Sequence, residues 1–118
     1  MHYMMMDDEL QADAYEKISQ ELRRGVLILA VLSQLQAETH GYALMSTLAE
    51  HGLVIDQGTL YPLLRRLESQ GLLASQWNTE GARPRRYYVI TATGTAVVHA
   101  LQHDWQNLTV VMARLFAT

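Results

Sequence analysis

Residues 57–70 read QGTLYPLLRRLESQ, and residues 85–91 read RRYYVIT. In the first stretch Leu60, Leu63, Leu64 and Leu67 fall at the three–four spacing of one helix face. The remaining positions are mostly polar, and Arg65 and Arg66 stand together among them. The second stretch alternates and is rich in Tyr, Val and Ile, which is the period and composition of a strand. Leu73 to Asn78 alternates in the same way, and Thr79 to Pro84 between the two holds Gly and Pro. A β-hairpin with a longer tip is therefore expected directly after the helix, and Gly71 is the natural cap between them.

The segments outside these two complete the pattern. Residues 41–51 (GYALMSTLAEH) predict a short amphipathic helix with Tyr42, Leu44, Met45 and Leu48 inward, closed by Gly52. Residues 53–56 form a tight connector to the helix 57–70. That helix starts either from Thr59, which leaves Pro62 in the first turn, or from Asp56, which loses one helical hydrogen bond. Upstream, residues 22–36 (LRRGVLILAVLSQLQ) are the most apolar stretch and predict a helix buried on more than one side. Gly25 either breaks it from the preceding segment or allows a close contact. Residues 7–21 predict a polar helix, with Asp7, Asp8 and Glu9 suited to its start and a narrow stripe of Leu10, Ala14, Ile18 and Leu22. Residues 1–6 are expected to be a loose start. Thr91 is the N-cap of one long helix over 92–117.

The order is thus four helices, two strands and a long helix. The fold class is mainly α with a small β-hairpin: a winged helix-turn-helix plus a C-terminal dimerisation helix. The corresponding division is an N-terminal polar arm at 1–21, a winged helix-turn-helix DNA-binding domain at 22–91 and a dimerisation helix at 92–118.

Composition narrows the function classes. A chain of 118 residues with 49% hydrophobic and 18% charged residues is one modest domain, neither disordered nor low in complexity. Zero cysteines exclude disulfides, thiolate metal sites and thiol catalysis, and fit a reducing compartment. The longest apolar run, Val26 to Leu32, is seven residues, far short of the ~20 a membrane helix needs. The first residues have no basic, cleavable signal pattern. A cytoplasmic protein without membrane partners is expected. No glycine-rich phosphate loop, GxSxG or HExxH is present, so no enzyme and no cofactor are expected. The pair His99 and His103 has metal-ligand spacing on a helix but lacks a clear third ligand, so no metal site is assigned. His40 and His51 flank the 41–51 helix as surface or cap residues.

The net charge of −3 hides an asymmetry that matters more than the sum. Residues 60–90 carry five arginines against two glutamates, whereas the rest of the chain carries four basic and ten acidic residues. In a helix-turn-helix the second helix enters the major groove and its N-terminal side chains reach the bases. Gln57, Thr59 and Tyr61 would take those positions, with Arg65 and Arg66 further along for phosphates. At the hairpin tip Arg83, Arg85 and Arg86 surround Pro84 and form an electrostatic probe for phosphates or a narrow minor groove. Each feature has a plainer alternative: a solvated helix face for the first, and a charged turn that blunts a sheet edge for the second. On the last helix Val98, Leu101, Trp105, Leu108, Met112 and Leu115 recur at three and four, an apolar seam of nearly three heptads. It is expected to cover the protein's own body in part and to meet a second copy in part. Trp105 is either ordinary interface packing or a platform for a flat aromatic ligand.

Gly41-Tyr42-Ala43-Leu44, the run Gly58 to Glu68, Gly71-Leu72, the run Arg85 to Thr91, and Gly94 together resemble the PadR family of bacterial transcriptional regulators, over roughly residues 22–117. The resemblance implies a homodimeric repressor whose winged domain binds an inverted-repeat operator in double-stranded DNA and whose C-terminal helix dimerises. The short length, with one helix after the wing, is similar to a subgroup that senses small molecules. For that subgroup the resemblance implies a flat apolar pore at the dimer interface that accepts an aromatic effector. Trp105, Leu108 and Met112 would line it, with Val26 and Ala30 on the buried helix. The competing reading is a winged-helix protein–protein interaction module that does not bind DNA. Salt dependence separates the two, because only phosphate contacts release many counterions.

Overall fold

The computed structural model describes residues 8–118; the expected loose start and Asp7 lie outside the described residues. The elements are α1 (Glu9–Ser33), β1 (Thr39–His40), α2 (Gly41–Glu50), α3 (Gln57–Ser69), β2 (Leu73–Asn78), β3 (Arg85–Ile90) and α4 (Ala92–Phe116). β3 is the central strand of an antiparallel sheet ordered β1-β3-β2. The fold is mainly helical with a small three-stranded sheet, a winged helix. The two strands of the expected hairpin lie at 73–78 and 85–90, with Leu73 opposite Ile90 and Asn78 opposite Arg85.

Three expectations require correction. The two upstream helices are one 25-residue helix, α1. Gly25 neither breaks it nor makes a close contact within the chain, since a Cβ there would meet nothing. A single glycine costs a helix only about 1 kcal/mol, which the flanking turns outweigh. Tyr42, expected to point inward, is 64% exposed. The inward row of α2 is Gly41, Leu44 and Leu48, and Tyr42 lies about 100° round the helix from Gly41. Val98, placed in the seam for a partner, is buried in the chain's own core, and Leu101 packs partly against that core. In addition, β1 gives the sheet a third strand that its two residues are too short to announce by any period.

The helix ends follow side-chain chemistry. Asp56 is the N-cap of α3: its Oδ1 accepts from the Thr59 N–H at 2.9 Å. Of the two possible starts this is the one that leaves Pro62 inside the helix, where it cannot donate back to the Gly58 carbonyl. Thr91 caps α4 through its Oγ1, which accepts from Gly94 N–H at 2.9 Å. α2 and α3 end alike. Gly52 and Gly71 take φ of 94° and 80°, and Leu53 and Leu72 each donate back to a carbonyl of the last turn, Leu48 and Leu67.

The core is built from Val31 and Leu32 at the end of α1, Leu35 just after it, Leu44 and Leu48 of α2, Ile55 of the connector, Leu60, Leu64 and Leu67 of α3, and Leu73, Tyr88 and Val98. α4 joins it at a close approach: a Cβ on Gly94 would strike the Leu72 carbonyl and the Ile90 side chain. The remaining lengths of α1 and α4 leave the core. The radius of gyration is 17.3 Å, against about 13 Å for a compact chain of this length. Leu22 is 75% exposed on α1, and every residue of α4 after Leu101 is exposed.

The Gly94 contact is testable. Gly94→Ala is expected to lower unfolding stability by about 1–3 kcal/mol through overpacking, despite the better helix propensity of alanine. Urea unfolding checks this; a more stable variant would contradict the close approach.

Candidate nucleic-acid interface

The outer side of α3, the N-terminus of α2 and the wing enclose an open cleft of about 960 Å³. One leucine row is the reason for its position. Leu60, Leu64 and Leu67 are wholly buried, so the flank of α3 beside that row borders the cleft with Tyr61 and Arg65, and Gln57 is exposed there because it stands in the first turn, before the core begins. The hairpin folds back beside it and adds Arg83, Arg85 and Arg86. Four arginines against the single carboxylate of Glu68 make the cleft strongly basic in a chain whose net charge is −3.

The expected site residues are brought together unequally. Gln57, Tyr61, Arg65, Arg83, Arg85 and Arg86 line the cleft. Thr59 and Arg66 are exposed on α3 outside it. Tyr61 is half-buried, and its ring lies against α2 so closely that a Cβ on Gly41 would sit 2.6 Å from it. It therefore spaces α2 from α3 as well as lining the cleft.

The arginines differ in what already holds them. Among the described residues the ion pairs are Lys17–Asp13 and Arg86–Glu68, so Arg65, Arg66 and Arg83 carry uncompensated charge. Arg85 Nη1 lies 2.8 Å from His40 Nε2. His40 is also the N-cap of α2, its Nδ1 accepting from the Ala43 N–H at 3.3 Å, and it meets Tyr87 edge-on. A neutral imidazole can accept at one nitrogen only, and an imidazolium at neither. Burial first, and then the Arg85 charge, hold the His40 pKa below the ordinary histidine value. At Asp56 the hydrogen bonds from Thr59, side chain first and then backbone, hold the carboxyl below its ordinary value. Burial pushes the Tyr88 hydroxyl up.

Other lining residues were not read as part of the site: Trp77, Glu68 and Ser69 among them, and Tyr42, expected to point inward. Trp77 is exposed on β2, and the Arg86 guanidinium lies 5.6 Å from its ring centroid. Strand alternation could have placed Trp77 beside Arg86, because the two are opposite each other in register.

The family profile described as the transcriptional regulator PadR-like family matches residues 28–100, more than half of the chain. The chain belongs to the PadR-like family of transcriptional regulators. It is similar to Transcriptional regulator Rv3488 of Mycobacterium tuberculosis, with 39% identity over 79 residues that span 66% of this chain and 74% of the relative. A solved PadR family transcriptional regulator from Eggerthella lenta has 45% identity and a TM-score of 0.84, covering 94% of this chain and 99% of that one. A PadR-like transcriptional regulator from Bacillus cereus has 26% identity and a TM-score of 0.72, covering 81% of this chain and 96% of that one. These PadR-like relatives are regulators of transcription and not enzymes. Among the described residues no helix is long and apolar enough to cross a membrane, and no three His, Asp or Glu side chains converge as metal ligands.

The His40 geometry has a consequence for stability. With its pKa lowered by folding, the unfolded chain binds more protons. The contribution of His40 is present above the unfolded value near 6.5 and is lost as pH falls through the folded pKa. His40→Asn keeps a capping acceptor but does not titrate. The variant is expected to lose less stability than the parent between about pH 7 and pH 5. Equal losses in urea unfolding at the two pH values would contradict this.

Proposed function

We propose that this PadR-like chain is a sequence-specific DNA-binding repressor that acts as a homodimer in the cytoplasm. The observation that carries the reading is the basic cleft, where α3 and the wing present uncompensated Arg65 and Arg83 on one side of the molecule. α3 enters the major groove, and Gln57, at its exposed N-terminal end, pairs with a base edge; Gln is suited to adenine. Thr59 and Tyr61 are the adjoining candidates, with Tyr61 constrained by its packing on Gly41. Arg65, Arg66, Arg83 and Arg85 supply phosphate contacts and so set register and affinity without reading sequence.

Dimerisation rests on the uncovered arms. Trp105, Leu108, Met112 and Leu115 recur along α4 and are 46%, 56%, 40% and 58% exposed. A second copy laid along this seam would bury them and set two α3 helices about 34 Å apart, one turn of the duplex, to match an inverted repeat. The same seam offers the place for an aromatic effector between the paired Trp105 side chains, beside Leu108 and Met112, with Val26 and Ala30 of α1 as further wall. Such a ligand would relieve repression only by favouring one spacing of the heads over another.

Fluorescence anisotropy on a duplex from upstream of the protein's own gene, against a scrambled duplex at two salt concentrations, tests the reading. Selective binding that weakens steeply with salt is expected. Gln57→Ala should reduce the preference for the operator by roughly 1–3 kcal/mol. Failure to bind either duplex would favour a winged-helix module that docks an acidic protein instead. Separately, Leu108→Asp should sediment as a monomer where the parent is a dimer; a variant still dimeric would remove the seam from the account.

A further inference from the structure

Arg86 differs from the other arginines of the cleft in being held on three sides. Its Nε donates to Ser75 Oγ at 2.9 Å, and its Nη2 lies 3.7 Å from Glu68 Oε1. Its guanidinium also lies 5.6 Å from the Trp77 ring centroid. Ser75 Oγ in turn donates to Glu68 Oε2 at 2.7 Å. The chain of contacts crosses three elements: Glu68 sits on α3, Ser75 and Trp77 on β2, and Arg86 on β3. Register explains why they meet. Trp77 pairs with Arg86, and Ser75 pairs with Tyr88 one step along, so all four side chains stand on the sheet face that looks at α3. The Arg86 and Glu68 side chains are 41% and 29% exposed, so the pair is partly withdrawn from water.

We infer that Glu68 is a positioning residue for the wing: with Ser75 it holds Arg86 as a strut that sets the angle between α3 and the hairpin, so that Arg86 is not itself a phosphate ligand. The inference rests on the DNA-binding reading above. A carboxylate in a cleft meant for phosphates is otherwise unfavourable, because it repels them. A strut resolves this: the charge of Glu68 is spent on Arg86, and Arg65 and Arg83 remain to meet the duplex. Arg86 Nε donates to Ser75 while the guanidinium faces the Glu68 carboxylate 3.7 Å away, a planar arrangement that lysine cannot reproduce.

The two roles of Arg86 give opposite results in one set of titrations. A phosphate ligand tolerates Arg86→Lys, and Arg86→Ala lowers the slope of log affinity against log salt by about one. A strut gives the reverse. Arg86→Lys and Arg86→Ala are both expected to weaken operator binding about tenfold while the slope stays that of the parent. Arg83→Ala, the control, lowers the slope by about one. Glu68→Ala also weakens binding, although it removes a negative charge, and the Glu68→Ala/Arg86→Ala double variant is no weaker than either single variant. In the free protein, Glu68→Ala speeds amide hydrogen exchange in β2 and β3 while the unfolding midpoint shows the chain still folded. Tighter binding by Glu68→Ala, or full rescue of binding and slope by Arg86→Lys, overturns the strut. If the parent protein binds no duplex at any salt, the DNA-binding reading fails first, and this inference with it.

Discussion

The burial of Leu60, Leu64 and Leu67 orients everything that the outer side of α3 can do. These side chains pack with Leu32, Leu35, Leu44 and Leu48 in one core, which leaves α3 no freedom to rotate about its axis. The flank with Arg65 then borders the cleft, and Gln57 joins it from the exposed first turn of the helix. The two helix-ending glycines, Gly52 and Gly71, aim the chain from α2 to α3 and from α3 to β2. Through Leu72 and Thr91 the end of α3 is also joined to the start of α4, since Thr91 N–H donates to the Leu72 carbonyl at 3.0 Å and Thr91 Oγ1 to the Gly71 carbonyl at 2.7 Å. Reading helix, wing and long helix are thus tied at one corner.

The second constraint is what the core cannot cover. Hydrophobic burial is worth roughly 25 cal/mol per Å², yet the outer lengths of α1 and α4 keep leucines, a tryptophan and a phenylalanine in water. Arg23 adds a polar tie from α1 to the connector, its Nη2 donating to the Val54 carbonyl at 2.9 Å, so that α1 is braced against the helix-turn-helix even where it leaves the core. The arms thus leave the core with apolar faces that the chain itself does not cover.

Much of the architecture was legible in periodicity and punctuation. The alternation of Leu73 to Asn78 and Arg85 to Ile90 located both strands, and Thr91 announced the start of α4. What was not legible lay in short elements and in tertiary contacts. A two-residue strand has no period, so β1 passed unseen. In α2 the inward row was right at Leu44 and Leu48 and wrong at Tyr42, because Gly41 takes the inward position under the Tyr61 ring. Val98 looked the same as Leu108 in the heptad pattern, and only the packing of α4 on α1 separates a core residue from an exposed one. At the cleft the arginines were visible as composition. That Arg86 is engaged by Glu68 and Ser75 while Arg83 is free of any ion pair among the described residues depends on strand register and on the distance to α3.

The account turns on two identical clefts acting on one duplex. Native mass spectrometry of the protein with an operator duplex, across a range of protein concentrations, tests that claim most directly. The account predicts complexes of two chains per duplex, formed together, with no appreciable population at one chain. A complex of one chain per duplex at full operator affinity would contradict it, and would leave the exposed seam of α4 to some other partner.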